Sequence, residues 1–179
     1  FGFMPFYPGP GLGGHCIPID PLYLTWKMRS LGLRTRFIEL ADTVNSSMPD
    51  YVVSRIADAL NDEGKPIKNA RILVLGVTYK KDVGDLRESS ALTIIEELRK
   101  RGAQVVYNDP HAPVLGLRSG DTLRSASLTE EMLGWTDLVL VHTAHTAYDW
   151  NWVGAHARLI FDARNAMSGV QTSCRVAKL

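Results

Sequence analysis

Arg71-Ile72-Leu73-Val74-Leu75-Gly76-Val77 is an uninterrupted apolar run. A strand that shows one face to water alternates, whereas one buried on both faces does not. This run therefore predicts a central strand of a parallel sheet. Three further segments fit the same sheet: Gln104–Tyr107, ending at Asn108-Asp109-Pro110; Asp137–Val141; and Arg158–Asp162. Between the first two, Ser89–Arg101 is amphipathic, with Ala91, Ile94, Ile95 and Leu98 on one face. Ser90-Ala91-Leu92 starts that helix and Gly102 stops it. Ser127-Leu128-Thr129-Glu130 reads as a capping box opening another helix. Strands alternating with helices predict an α/β, Rossmann-like parallel sheet with helices on both faces.

Upstream the pattern is different. Residues 1–20 read as a loop, and residues 21–32 as a helix ending at Gly32. Residues 39–62 form a longer helical stretch, with Val52, Ile56, Ala57 and Leu60 at helical spacing. Met48-Pro49 predicts a break or kink within it, because proline lacks the donor and restricts its predecessor. Asn61–Pro66 has the composition of a linker. The expected division is residues 1–64, a loop with a helical region, and residues 65–179, the sheet domain.

Length and composition exclude several classes. The chain has 179 residues, 45% hydrophobic and 22% charged, with a formal net charge of +1. It is long enough for one good core. Near-neutral charge argues against nucleic-acid binding, which needs a basic stripe. No apolar run reaches membrane-spanning length and no secretory signal opens the chain. Cys16 and Cys174 are far apart and make no disulfide framework, so a reducing cytoplasm is the expected compartment. The chain begins Phe1-Gly2-Phe3-Met4-Pro5-Phe6 and runs straight into a Gly/Pro-rich loop, which suggests the C-terminal piece of something longer.

That loop carries chemistry. Gly9-Pro10-Gly11-Leu12-Gly13-Gly14-His15-Cys16-Ile17-Pro18-Ile19-Asp20-Pro21 places one thiol behind a backbone nearly free of side chains. Glycines let a ligand approach the main chain closely, and a thiol beside a helix N-terminus is favoured as the nucleophilic thiolate. A bland reading stands beside this one. Asp20-Pro21 is also an ordinary helix start with Asp20 as N-cap, and a lone cysteine is often a small buried hydrophobe. His142, His145 and Asp149 invite a zinc reading. His-x-x-His alone is common, however, and no further ligand lies nearby in sequence, so no metal is expected. His15 adjoins Cys16, but neighbours in sequence rarely aim side chains at one another. The four tryptophans are expected in core or interface.

The first βα turn lacks the Gly-x-Gly-x-x-Gly that seats a dinucleotide. Gly76 is followed by Val77-Thr78-Tyr79 and then Lys80 and Lys81. Two cations at the carboxyl end of a strand suit a pyrophosphate. This turn is therefore expected to hold a pyrophosphate rather than NAD in the dinucleotide manner, despite the acid Asp109 at a strand end.

Gly13-Gly14-His15-Cys16 with Asp20 resembles the catalytic-cysteine loop of the UDP-glucose/GDP-mannose dehydrogenases, the nucleotide-sugar 6-dehydrogenases. Gly76–Ser90, with Tyr79, Lys80, Asp85 and Arg87-Glu88-Ser89, is similar to a second block of that family. Phe161-Asp162-Ala163-Arg164-Asn165 is similar to its Asp-Gly-Arg near the C-terminus, with Ala163 in the glycine's place. The three blocks come in family order and span nearly the whole chain.

The resemblance implies a four-electron oxidation of the sugar C6 alcohol to a carboxylate, reducing two NAD⁺. Cys16 would capture the intermediate aldehyde as a thiohemiacetal, and the thioester formed next would be hydrolysed. Asp20 would orient or activate that water. Tyr7, Gly9, Gly11, Leu12 and Gly13 would line the sugar pocket, Tyr79 and Lys80 would contact substrate, and Arg164 would meet its phosphate. Lys81 is open between a ligand contact and a solvated lysine. Cys16 and Ile17 would border the cofactor. Arg87 would reach its pyrophosphate across a domain or subunit boundary, or else pair locally with Asp85 or Glu88. NAD would be held mainly by an N-terminal domain outside this chain, and a homo-oligomer built through the helical region is implied. His15-Cys16-Ile17-Pro18-Ile19-Asp20-Pro21 is most similar to members acting on UDP-N-acetylhexosamines, UDP-N-acetylglucosamine first. UDP-N-acetylmannosamine and UDP-glucose remain open, although Ile19 stands where the UDP-glucose branch usually has lysine. Two other readings also stay open: a non-catalytic UDP-sugar-binding and dimerisation module, and an unrelated cysteine hydrolase.

Overall fold

Arg71–Leu75 forms β1, and its side chains divide strictly between two cores. In the computed structural model, which describes residues 2–3 and 5–179, Ile72 and Val74 enter one buried cluster while Leu73 and Leu75 enter another. β5 (Leu138–Val141) and β6 (Leu159–Asp162) divide in the same way: Leu138, Leu140, Leu159 and Phe161 on the first face, Val139, Val141 and Ile160 on the second. Each fully buried aliphatic side chain contributes about 1.5–3 kcal/mol over its exposed state. This double burial is why the strands read as unbroken apolar runs. Phe1 and Met4, two residues of the opening segment noted above, lie outside the described residues.

Together with β2 (Gln104–Asn108) and β7 (Arg175–Lys178) they make a five-stranded, all-parallel sheet of order β2-β1-β5-β6-β7. The first face is covered by α3 (Ser90–Lys100), through Ala91, Ile94, Ile95 and Leu98, and by the second half of α2 (Arg36–Asp62), through Val52, Val53, Ile56, Ala59 and Leu60. The other face is covered by α4 (Glu130–Trp135) and α5 (Trp150–His156), through Leu133 and Val153. A two-stranded hairpin, β3 (Val114–Gly116) with β4 (Thr122–Arg124), precedes α4. α1 (Asp20–Ser30) joins the N-terminal loop to α2. No helix among the described residues is long and apolar enough to cross a membrane.

Three local expectations are corrected. α2 runs unbroken through Pro49. Proline in a helix interior costs about 3 kcal/mol, and the buried face from Val52 to Leu60 holds the helix in register just beyond it. Thr129, not Ser127, caps α4, its hydroxyl accepting from Met132 N at 3.2 Å. Asp20 does not cap α1: Ile19 occupies the N-cap with no side-chain bond, and Asp20 is the first helical residue. Trp150 and Trp152 pack against the second core, whereas Trp26 is 71% exposed on α1.

After β1 the chain returns through α3 to β2 on one side, then crosses by α4 to β5 on the other. The order of strands therefore reverses between β1 and β5. In open α/β sheets that crevice, at the carboxyl ends, is where ligands bind. Here it is bordered by residues 76–89 and 142–149.

Candidate active site

The N-terminal loop lies across this crevice. Its glycines are spaces filled by the sheet domain. A Cβ at Gly9 would come within 2.4 Å of the Arg164 guanidinium, at Gly11 within 3.0 Å of Ser90, and at Gly13 within 2.6 Å of the Glu88 carbonyl oxygen. At Gly14 it would meet the Tyr79 ring at 3.0 Å, and that residue also has a positive φ of 98°. Gly14 N donates to Arg87 O at 3.0 Å, and Leu12 N donates to Asn45 Oδ1 of α2 at 2.7 Å. Close approach to the protein itself accounts for the run of small residues.

The result is a cavity of about 360 Å³ lined by Leu12, Gly13, Cys16, Ile17, Tyr79, Lys80 and Arg164, with Gly11 and His15 at its border. Cys16 is exposed, so the small-buried-hydrophobe reading does not apply. Its Sγ lies 3.7 Å from His15 Nδ1. The neighbours expected to point apart therefore face one another, at the long end of sulfur hydrogen bonding. The Cys16 carbonyl accepts from Ile19 N at 3.1 Å and Asp20 N at 2.8 Å, a turn that leads directly into α1.

A second cavity of about 490 Å³ adjoins, lined by Tyr7, Asp162, Arg164, Asn165 and Lys178. Arg164 borders both. Its Nε donates to the His142 carbonyl at 3.0 Å, and its backbone N donates to Asp162 Oδ1 at 2.9 Å. Burial pulls its guanidinium below its usual value, yet arginine stays charged in proteins.

Three expected residues lie apart, Gly9 lining neither cavity because it is packed on Arg164. Asp20 is exposed at the start of α1 and does not line the cavity. Arg87 makes a bidentate pair with Asp85, Nε to Oδ1 at 3.1 Å and Nη2 to Oδ2 at 2.6 Å. That pair raises the Arg87 pKa, with smaller contributions from nearby Tyr79 and Cys16. The local ion pair left open by the sequence is thus present.

The metal set named from sequence does not assemble. Asp149 caps α5, accepting from Asn151 N and Trp152 N, both at 3.0 Å. A different trio, Asp82, His111 and His145, has ligand atoms within 4.8 Å of one another. The Nδ1 lone pair of His145 is already taken by Asp82 N–H at 2.9 Å, so this trio lacks a free third donor.

The segment from residue 1 to 47 matches the model of the UDP-glucose/GDP-mannose dehydrogenase family, central domain, and residues 73–169 match that of the same family's UDP binding domain. The chain belongs to the UDP-glucose/GDP-mannose dehydrogenase family. It is 36% identical over 141 residues, 79% of its length, to a UDP-N-acetyl-D-mannosamine dehydrogenase of Methanococcus maripaludis. It is 39% identical over 110 residues, 62% of its length, to a UDP-N-acetyl-D-glucosamine 6-dehydrogenase of Pseudomonas aeruginosa. The aligned parts amount to 30% and 26% of those relatives. Its fold superposes on a UDP-D-ManNAc dehydrogenase from Pyrococcus horikoshii with a TM-score of 0.81 at 25% identity, covering 97% of this chain and 40% of that one.

Members of a dehydrogenase family need a hydride acceptor, and the turn after β1 is not built as a dinucleotide fingerprint. Gly76, with φ 73°, is packed on Thr143, so its missing side chain makes room for the Thr143 backbone. Asp109, the acid at the end of β2, is buried with both oxygens engaged. Oδ2 accepts from Val77 N at 2.7 Å and from His145 Nε2 at 3.0 Å, and Oδ1 accepts from His111 N at 2.8 Å. Burial would raise its carboxyl, but these bonds outweigh it and hold the pKa low. It closes a loop and is not free for a ribose.

Sequence reasoning missed Asn45, Ser90, Asp82 and the supporting role of His142. Ser90 Oγ meets His142 Nε2 at 2.9 Å, and His142 Nδ1 meets Thr143 Oγ1 at 2.9 Å. Since Thr143 Oγ1 donates to Thr78 O at 2.5 Å, it accepts from His142, which fixes the Nδ1–H tautomer. Burial first, then Arg164, lowers the His142 pKa to about 3.

Proposed function

We propose that this chain is the cysteine-loop and nucleotide-sugar-binding part of an NAD-dependent 6-dehydrogenase, which oxidises the C6 alcohol of a UDP-N-acetylhexosamine to the uronic acid. The observation that carries this reading is that one cavity is bordered by the Cys16 thiol and by two cations, Lys80 and Arg164. The cations take the diphosphate, and the sugar extends along Gly11–Gly13 toward the sulfur. Tyr7 and the adjoining cavity receive the nucleoside end beyond Arg164.

The Cys16 sulfur adds to the C6 aldehyde and keeps it from escaping; as the thioester it presents the acyl carbon to water. Asp20, an exposed carboxylate one turn beyond the sulfur, is the group proposed to orient that water. Cys16, Ile17 and Arg87, all exposed, are the residues of this chain proposed to border the cofactor, which is held mainly by residues outside it. The isolated chain therefore binds UDP sugar and does not oxidise it.

UDP-N-acetylglucosamine is the first substrate to test. Relatives named for N-acetylglucosamine and N-acetylmannosamine are similar to this chain at 39% and 36% identity, so both belong in the assay, with UDP-glucose and GDP-mannose beside them. NADH absorbance should be followed in the protein carrying these residues together with a nucleotide-binding domain. Two NADH per N-acetylhexosamine, lost in Cys16→Ala, are expected. Turnover of UDP-glucose alone would replace the substrate, and turnover that survives the substitution would remove Cys16 from the chemistry.

A second reading rests on the apolar surface of the helical region. Trp26 is 71% exposed, Phe37 88%, Leu40 59% and Val44 52%. A second copy of the chain is proposed to cover this face. If the isolated chain is dimeric yet binds no UDP, assembly rather than substrate binding is its own property.

A further inference from the structure

Tyr79-Lys80-Lys81 is a short arm, and its two ends are tied to one buried histidine. His145 is fully buried in the loop after β5. At the far end of the arm, Asp82 N donates to His145 Nδ1 at 2.9 Å. At the near end, Thr78 Oγ1 lies 3.3 Å from His145 Nε2 and donates to the Lys80 carbonyl at 3.0 Å. A backbone N–H can only donate, so Nδ1 carries the lone pair and Nε2 the proton. That proton points at Asp109 Oδ2, 3.0 Å away, and the same carboxylate holds Val77 N and Thr78 N.

Asp82 would not hold this position unaided. Its φ is 58°, in the left-handed region that residues with a side chain seldom adopt. Its carboxylate is clamped by Thr146, through the backbone N at 2.8 Å and through the hydroxyl. Asp82 is thus gripped on three sides by the loop His142–Thr146, with His145 taking the backbone. The arm between the two tethers delivers Tyr79 and Lys80 to the cavity beside Cys16.

We infer that His145 is a positioning residue, acting through Asp82 and Thr78 to place the Lys80 ammonium where the diphosphate of the substrate binds. The inference rests on the nucleotide-sugar reading above. His145 itself lines neither cavity.

The test is a double-substitution cycle read by calorimetric titration of the 179-residue chain with UDP. Phe keeps the ring size and removes both nitrogens. Asn keeps an acceptor near Nδ1 and loses the Nε2 donor. His145→Phe should weaken UDP about tenfold when Lys80 is present and less than twofold in a Lys80→Ala background, because a group acting through Lys80 has nothing left to place. His145→Asn should lie between, and serves in the cycle if the Phe variant does not fold. Hydrogen exchange at Asp82 N should accelerate in His145→Phe and less in His145→Asn, which keeps the acceptor. Equal loss of UDP affinity in the two backgrounds, or no loss, would overturn the inference and leave the substrate reading intact. Failure of the unaltered chain to bind UDP would overturn both.

Discussion

Gly13 of the N-terminal loop sits directly on Tyr79, so that a Cβ added at Gly13 would lie 2.7 Å from Tyr79 Cβ. The Glu88 carbonyl oxygen, at 2.6 Å, closes the other side. Neither obstacle is the movable tip of a side chain. Gly13→Ala must therefore lift the loop and carry Cys16, three residues on, away from Tyr79 and Lys80. A displacement near 1 Å at a reacting group costs on the order of 100-fold in rate. Gly13→Ala should lose about that much kcat in the NAD-competent protein. The β1-centred core does not include Gly13, so its far-ultraviolet spectrum and cooperative unfolding should persist. Full activity would show that the loop sits elsewhere in the working enzyme.

Cys16 and Cys174 differ in access, and that gives a test independent of turnover. Cys16 is exposed in the cavity; Cys174 is partly buried, its sulfur accepting from Thr172 Oγ1 at 3.2 Å. Iodoacetamide should alkylate Cys16 well before Cys174, as peptide mass spectrometry can follow. Saturating UDP-N-acetylglucosamine should slow the first reaction and leave the second unchanged. Cys16→Ser should alter stability by no more than about 0.5 kcal/mol, as expected for an exposed side chain. Protection of Cys174 instead would place the sugar on the wrong side of the sheet.

How much of this was legible beforehand depends on where a residue's constraint comes from. β1, β5 and β6 were readable because burial on both faces leaves its mark within five residues. β7 was not, because Arg175-Val176-Ala177-Lys178 is an edge strand, exposed at both ends, whose only reason to be extended is its pairing with Leu159–Asp162. α5 was missed for a similar reason: it is seven residues long, and its start is set by the Asp149 cap rather than by periodicity. Pro49 misled because local propensity yields to tertiary packing. In the site, the Gly-rich loop and Lys80 announce themselves by composition. The tethers do not: His145 meets Asp82 across 63 residues and Asp109 across 36. A one-dimensional reading sees His-x-x-His there, sets a metal aside, and finds no other role for His145.

Asp137 anchors the amino end of the sheet. Its side chain is 5% exposed and accepts from Lys65 Nζ at 2.6 Å, Arg71 Nη2 at 2.7 Å and Arg71 N at 2.9 Å. The Arg71 hydrogen bonds, foremost, hold its carboxyl far below the ordinary range. Asp137→Ala strips a partner from a backbone N–H and two cations, and should cost about 2–3 kcal/mol in urea unfolding. Lys65→Ala should cost less than about 1 kcal/mol, since that ammonium is 44% exposed and water can replace its contact. Equal losses would mean that Lys65, not Arg71, is the main partner.

His142 makes the fold sensitive to mild acid. It is 1% exposed and neutral, with its pKa lowered from 6.5 to about 3. In the unfolded chain the ordinary value returns. Between those two values the unfolded state binds a proton that the folded state refuses, so stability falls as pH falls, by at most about 1.4 kcal/mol per unit for one group. The lowered carboxylates Asp109 and Asp137 also favour the folded state, but their contribution is intact above the unfolded value of 3.8 and is lost only below it. From pH 7 to pH 5 the histidine should therefore dominate, with a loss of about 2 kcal/mol in the unfolding free energy. His142→Gln keeps polar atoms for Ser90 and Thr143 and removes the titrating ring. Its curve should be lower at pH 7 yet nearly flat to pH 5. A slope that survives the substitution would assign the proton to another group.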